Sequence, residues 1–317
     1  MHTDLVVGVD VGKDELVVAM ADNVVNYPNT APGRRRLLKT LMQQSVRLVV
    51  LEASGGYERD LLRALWTADI PVRRVNPRQV RDFARASGRL AKTDTLDAVL
   101  LVHFGTVMEL QPQSMPSQQR QELADLHAYR QGLVAQRVAN QNRLQQAGDR
   151  RIRASLELLL AVIQEQIVVV ETEMDTLIAI CPELQAEMTV LQSIPGIGRT
   201  TARLLVAAVP ELGQATPREI AALVGVAPMN HDSGRYRGTR RIRGGRPQVR
   251  AGLYMAAVVA SKHNPVLSQF AERLRAQGKP GLVVITAVMR KLLTMANAML
   301  RDGTPWQPPV VQEGAAA

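Results

Sequence analysis

Residues 117 to 180 contain no proline and are rich in Gln, Arg, Glu, Leu and Ala, and no other feature limits the possible folds as much. Proline would break a helix, so its absence predicts helix throughout. In the second half, Leu156, Leu160, Ile163, Ile167, Val170, Met174 and Leu177 follow one another at spacings of 4, 3, 4, 3, 4 and 3, the heptad seam of a coiled coil. The first half, with Leu123, Leu126, Leu133 and Leu144, is less regular, and Gly148-Asp149 is placed to bend the stretch into a helical hairpin. A seam this apolar needs a partner; the preceding helix and a second protomer both fit.

Upstream, short β-branched runs alternate with amphipathic stretches, an α/β pattern. Leu5 to Val11 and Glu15 to Met20 flank the tight turn Gly12-Lys13-Asp14 and predict an antiparallel hairpin. Val46 to Leu51 follows a helix that starts at Gly33 and can pair in parallel, so the sheet is expected to be mixed. A helix from Tyr57, a short strand over Pro71 to Val75 and a helix over Asp94 to Met108 complete this part. From Pro182 onward the pattern is mostly helical, with turns at Pro195-Gly196-Ile197-Gly198 and Gly225-Val226-Ala227-Pro228 and a long polar loop from Asn230 to Gly245. The expected divisions are an α/β domain over residues 1–111, a helical coiled-coil segment over 112–181, a mostly α domain over 182–303 and a frayed tail over 304–317.

A chain of 317 residues suffices for about two domains, and 46% apolar against 21% charged residues gives it sizeable cores. A net charge of +10 points to a polyanionic partner. A single cysteine, Cys181, excludes an intramolecular disulfide and a multi-cysteine zinc site and fits a reducing cytoplasm. The longest uncharged apolar runs, such as Ala251 to Ala260 and Leu282 to Met289, fall short of the ~20 residues that span a bilayer. Asp4 and Asp10 interrupt the N-terminus where a signal peptide needs its apolar stretch. A cytoplasmic protein with no membrane partner is expected.

Asp10 and Glu52 each end an apolar strand, where a desolvated carboxylate is costly unless something compensates. Two such acids in one sheet can converge on a divalent ion, and oxygen ligands select Mg²⁺ or Mn²⁺; turned to water, each is an ordinary strand-end acid. Asp94 and Asp97 share one face at the start of a helix. They could complete a four-carboxylate cluster, or cap the helix and complement its dipole.

Ile194-Pro195-Gly196-Ile197-Gly198 ahead of an apolar helix has the form of a helix-hairpin-helix turn, in which Gly196 and Gly198 let backbone N–H groups approach a phosphate. Arg235, Arg237, Arg240, Arg241, Arg243, Arg246 and Arg250 crowd a glycine-spaced segment with no acid, a composition suited to phosphate neutralisation. A second basic stretch runs from Arg73 through Arg74, Arg78, Arg81, Arg85 and Arg89 to Lys92. Aromatic residues are only 3% of the chain, so backbone contact is favoured over base stacking. Immediately before the arginines stands His231-Asp232-Ser233-Gly234. A serine among cationic groups is suited to attack a phosphodiester, although Asp-Ser-Gly is equally a common turn.

Taken in order, Asp10, Glu52, Asp94 and Asp97, the long helical stretch, the Pro195-Gly196-Ile197-Gly198 turn, Gly225-Val226-Ala227-Pro228 and Asp232-Ser233-Gly234 resemble the DEDD transposases of bacterial insertion sequences, the bridge-RNA-guided recombinases. The resemblance extends over nearly the whole chain and lies in the order of the parts. It implies a ribonuclease H-like N-terminal domain in which Asp10, Glu52, Asp94 and Asp97 bind metal, and a C-terminal domain in which Ser233 is the nucleophile. It further implies a coiled-coil dimer or tetramer whose acids and serine come from different protomers. Donor and target double-stranded DNA and a structured guide RNA are the implied partners. The implied chemistry is cleavage to a phosphoserine and a free 3′-hydroxyl, followed by strand exchange.

Two other readings fit parts of the sequence. Gly8-Val9-Asp10-Val11-Gly12 also resembles the first phosphate loop of actin-like ATPases and sugar kinases, which leaves the arginine segment without a role. A non-catalytic helical DNA-binding protein, its acids serving only as caps, is the other.

Overall fold

The computed structural model describes residues 5–21, 23–88, 93–229, 232–233 and 236–308, with residues 232, 233, 236 and 237 given by their backbone. The chain forms two compact units that divide between Met115 and Pro116.

The first unit contains β1 (Leu5–Val11), β2 (Glu15–Met20), β3 (Asn23–Pro28), α1 (Ala31–Met42), β4 (Val46–Glu52), α2 (Arg59–Thr67), β5 (Val72–Val75), α3 (Pro77–Ala86) and α4 (Asp94–Val107). Its sheet has the order β3-β2-β1-β4-β5. The β1–β2 and β2–β3 pairs are antiparallel, and β1–β4 and β4–β5 are parallel, so the mixed sheet expected from sequence is present. Both faces of the central strands are covered, which is why they are apolar without alternation. Val7, Val9, Val11, Val49 and Leu51 pack against Leu37 and Leu41 of α1 and Leu61, Leu62 and Leu65 of α2. On the other face Val6, Leu48 and Val50 meet Val80 of α3 and Leu100, Leu101 and Phe104 of α4. The edge strand β3 escapes the sequence pattern because almost all of it is exposed.

The second unit begins with α5 (Gln118–Gln146) and α6 (Arg150–Ile180), a helical hairpin bent where Gly148-Asp149 predicts it. Asp149 caps α6 by accepting from the Arg151 N–H at 2.7 Å. Ile163, Ile167, Val170, Met174 and Leu177 of the 4-3 seam are buried in one core with Leu123 and Leu133 of α5. The preceding helix is therefore a partner of the seam within the same chain. Then follow α7 (Pro182–Ser193), α8 (Arg199–Ala208), α9 (Pro217–Val224), the two-residue strands β6 (Pro228–Met229), β7 (Asp232–Ser233), β8 (Tyr236–Arg237) and β9 (Arg241–Ile242), α10 (Pro247–His263), α11 (Pro265–Ala276) and α12 (Gly281–Asp302). The hairpin and the later helices share that core and fall in one compact unit.

By length and composition α12 could cross a membrane, because Arg290 and Lys291 are its only charges before Arg301. Here it is a core helix: Val284, Val288, Met289, Leu292, Leu293 and Ala296 are buried among the other helices of the unit. The start of the expected frayed tail is also docked. The Trp306 N–H donates to Ser193 Oγ at 2.7 Å, and Trp306 packs on the core; residues 309–317 lie outside the described set.

His127 of α5 is buried beside Arg130 and Arg203 and accepts from Gln131 Nε2 at 2.9 Å. Desolvation first, then the two guanidinium charges, lowers its pKa to about 4 from an ordinary 6.5. Between those values the unfolded chain binds the proton and the folded one does not, so this group's contribution is complete above pH 6.5 and is lost as pH falls toward 4. In urea titrations from pH 7 to pH 4.5, His127→Gln is expected to flatten the fall in stability. An unchanged slope would show that His127 does not carry it.

Candidate active site

In the parallel register Val9 stands opposite Leu51, so Asp10 and Glu52 are the next residues on adjacent strands. Successive strand residues face opposite sides. Val9 and Leu51 face α1 and α2, which turns Asp10 and Glu52 toward the face covered by α4. That helix lies unusually close to β1: a Cβ on Gly8 would stand 2.1 Å from the Ala98 carbonyl oxygen and 2.9 Å from the Val102 nitrogen. Further along, a Cβ on Gly105 would stand 2.6 Å from Val50 Cγ2. Gly8 on the strand and Gly105 on the helix thus set the helix-to-sheet distance, and the first turn of α4 falls over the end of β1.

The result is one acidic group. Carboxylate oxygens of Asp10, Asp94 and Asp97 lie within 4.8 Å of one another. Thr93 is the N-cap of α4, its Oγ1 accepting from the Leu96 N–H at 3.2 Å, and Asp94 and Asp97 lie in the first turn, where they also complement the helix dipole. Two oxygens on opposite sides of a Mg²⁺ ion at 2.0–2.1 Å stand about 4.2 Å apart, so small side-chain rotations would close this group around such an ion. The residues fit a hard divalent cation. Glu52 is on the same sheet edge but outside this three-acid group.

Sequence reading did not single out Glu58, which orders the loop after Glu52. It is 3% exposed and accepts from the backbone N–H groups of Ser54 at 3.1 Å and Gly56 at 2.9 Å. Arg74 Nη1 lies 3.4 Å from it. Gly55 and Gly56 have positive φ, and their adjacency was the one visible sign of a specially shaped turn. Lys92 and Arg89 of the basic stretch lie outside the described residues; Arg78, Arg81 and Arg85 are exposed on α3.

In the second unit, α7 and α8 flank the predicted glycine turn. Gly196 has φ +107°, and a Cβ there would stand 2.5 Å from Ala260 Cβ, so packing against α10 already requires glycine. Gly198 is the N-cap of α8, with no side-chain cap and open space around it. Arg199, the first residue of α8, pairs with Asp175 at 2.8 Å.

The long polar loop is an arm with short ladders. Pro228 pairs with Ile242 and Met229 with Arg241; further out Asp232 pairs with Arg237 and Ser233 with Tyr236. Ser233 therefore precedes the two residues that join β7 to β8, at the tip of the arm. Those two, Gly234 and Arg235, and His231 lie outside the described residues. Arg240, Arg241 and Arg243 are exposed, whereas Arg246 and Arg250 bond within the fold.

The chain thus pairs an α/β unit, with a carboxylate cluster at the end of its β1 strand, with a helical unit. A transposase family model matches residues 7–149, and the model described as the IS116/IS110/IS902 transposase family matches residues 188–272; together they span more than half of the chain. The chain belongs to this family of IS110-type transposases. It is 29% identical over 263 residues to a pilin gene-inverting protein of Moraxella bovis, covering 81% of each chain. It is also 31% identical over 152 residues to the insertion element IS110 43.6 kDa protein of Streptomyces coelicolor, covering 47% of this chain and 36% of that one. A solved structure, T. thermophilus RuvC in complex with Holliday junction substrate, is 15% identical and covers 34% of this chain and 98% of that one, at a TM-score of 0.28, too low to bear on the fold.

The close approach at Gly8 yields a direct prediction. Gly8→Ala should cost about 1–3 kcal/mol of stability, the usual range for overpacking, measured by urea denaturation. Gly148→Ala, where a Cβ meets open space, should leave the midpoint within experimental error. Equal behaviour of the two variants would contradict the packing argument.

Proposed function

We propose that this transposase cleaves and rejoins DNA strands with Ser233 as nucleophile and with Asp10, Glu52, Asp94 and Asp97 holding Mg²⁺ or Mn²⁺. The observation that carries the proposal is the gathering of Asp10, Asp94 and Asp97 within 4.8 Å in a member of a transposase family. The sheet order β3-β2-β1-β4-β5, with its antiparallel hairpins on one side and parallel strands on the other, supports reading the first unit as ribonuclease H-like.

Divalent ions held by these acids would supply Lewis-acid stabilisation of the reacting phosphoryl group. The protein's part is positional and electrostatic. Asp10 is fixed by β1, and Asp94 and Asp97 by the first turn of α4, an arrangement that would bring these three ligands together before substrate arrives. Ser233 Oγ bonds to phosphorus as the P–O3′ bond breaks. The serine proton is lost and O3′ gains one, leaving a phosphoserine and a free 3′-hydroxyl. Exposed Arg240, Arg241 and Arg243 lie on the arm that carries Ser233, where they would neutralise backbone phosphates. The uncapped α8 N-terminus at Gly198 offers a further backbone phosphate contact.

The proposed partners are donor and target double-stranded DNA, a structured guide RNA and a second copy of the chain, in the cytoplasm. The buried seam of α6 is met by α5, but Leu158 at 71% exposure and Val162 at 54% lie on another face of α6, with Val169 following at heptad spacing from Val162. That face supports association of two hairpins as a dimer or tetramer, in which the acids of one protomer would meet the serine of another. The relative's name, pilin gene-inverting, supports DNA rearrangement as the outcome.

The test is recombination of a plasmid carrying the element's ends, with RNA transcribed from its flanks. Ser233→Ala should abolish the covalent protein–DNA adduct, and Asp97→Asn should reduce recombination by at least about 100-fold, the scale of a lost transition-state electrostatic contact. Both should bind DNA as the wild type does. An adduct formed by Ser233→Ala would refute the nucleophile assignment.

A further inference from the structure

Among the described arginines of residues 235–250, Arg246 and Arg250 are occupied inside the fold. Arg246 forks onto Glu211, with Nη1 at 2.7 Å and Nη2 at 2.6 Å, and its Nη1 also donates to the Ala208 carbonyl at 2.9 Å. Its backbone N–H donates to the Leu223 carbonyl at 3.0 Å. Arg250 Nη1 donates to the carbonyls of Gly244 at 2.7 Å and Gly225 at 3.4 Å.

These bonds meet at the two legs of the arm that ends in Ser233. Gly225 is the left-handed C-cap of α9, three residues before β6, and Gly244-Gly245 follows β9. A Cβ on Gly225 would stand 2.3 Å from the Gly244 carbonyl oxygen, and one on Gly245 2.2 Å from the Gly225 nitrogen. The legs therefore touch backbone to backbone, and Arg250 holds both. Arg246 ties the same junction to Glu211, which follows α8, and to Leu223 in α9.

We propose that Arg246 and Arg250 are positioning residues that clamp the base of the arm and so aim the Ser233 hydroxyl, while phosphate contact falls to the exposed arginines further out. This rests on reading Ser233 as the nucleophile. An isolated two-stranded hairpin is marginal in water, so tying its base is a direct way to hold its end. A displacement of about 1 Å at a reacting atom costs on the order of 100-fold in rate, so an arm tip needs an anchored base. Arg246 is poorly suited to grip DNA as well, because binding a phosphate through its fork would require releasing Glu211.

The experiment uses the full chain with the plasmid and flank RNA described above. It measures the single-turnover rate of adduct formation and, separately, affinity for a fluorescein-labelled random-sequence duplex across a salt series. Arg246→Ala should slow adduct formation by about 10- to 100-fold and leave both the affinity and its salt slope unchanged. Restoring the pair in reverse, Arg246→Glu with Glu211→Arg, should recover at least about tenfold of that loss, which a variant that merely misfolds would not allow. Arg241→Ala should instead reduce the salt slope by about one. If Arg246→Ala lowers affinity and salt slope while adduct forms at the wild-type rate, Arg246 is a phosphate ligand and the proposal fails. If Ser233→Ala still forms the adduct, the nucleophile reading fails and the clamp with it. An inactive Ser233→Ala beside a fully active Arg246→Ala would sink the clamp alone.

Discussion

The approach of α4 to β1 at Gly8 is the contact on which the N-terminal unit depends. A helix packed at ordinary distance would hold its first turn away from the strand end. The missing side chain lets the Ala98 carbonyl lie where a Cβ would be, with Gly105 giving the same freedom further along the helix. Asp94 and Asp97 are thereby brought to Asp10, with carboxylate oxygens of all three within 4.8 Å of one another. Packing and proposed chemistry are in this sense one feature, since the two glycines that bring helix and sheet together also bring together the oxygen ligands of the proposed cation site.

The second unit solves a different problem. Its arm carries a serine together with the exposed Arg240, Arg241 and Arg243. At the base of the arm glycine backbones interlock and two arginines bind carbonyls and a carboxylate. Other arginines of the unit hold helices together, Arg130 of α5 pairing with Glu171 of α6 and Arg199 of α8 with Asp175 of α6. Positive charge is abundant in this chain, and the structure divides it between holding the fold and facing solvent.

Much of this was legible in the sequence where a one-dimensional pattern has a single three-dimensional meaning. The apolar runs at Leu5 to Val11 and Val46 to Leu51, the proline-free hairpin and its bend at Gly148-Asp149 are of that kind. The partner of the α6 seam was not, because heptad spacing states that a face is apolar and not what covers it. The edge strand β3 lacked the alternation that marks a half-buried strand. The frayed-tail expectation missed Trp306, whose packing depends on a distant Ser193. Among the site residues, the spacing of Asp94 and Asp97 suited a helix-end role and metal binding alike, and the closeness of Asp10, which lies far away along the chain, was not visible. The arginine run read as uniform, and nothing in the sequence marks Arg246 and Arg250 as internal ties, since Glu211 and Gly225 lie far from them along the chain.

The central claim, that Asp10, Asp94 and Asp97 form a cation site built by the packing of α4 on β1, is tested most directly by crystals soaked in Mn²⁺ and examined by anomalous diffraction. A manganese peak bounded by those three carboxylates is expected, with no such peak in crystals of Asp10→Asn. Saturating Mn²⁺ with no peak there, the three acids turned apart toward water, would contradict it.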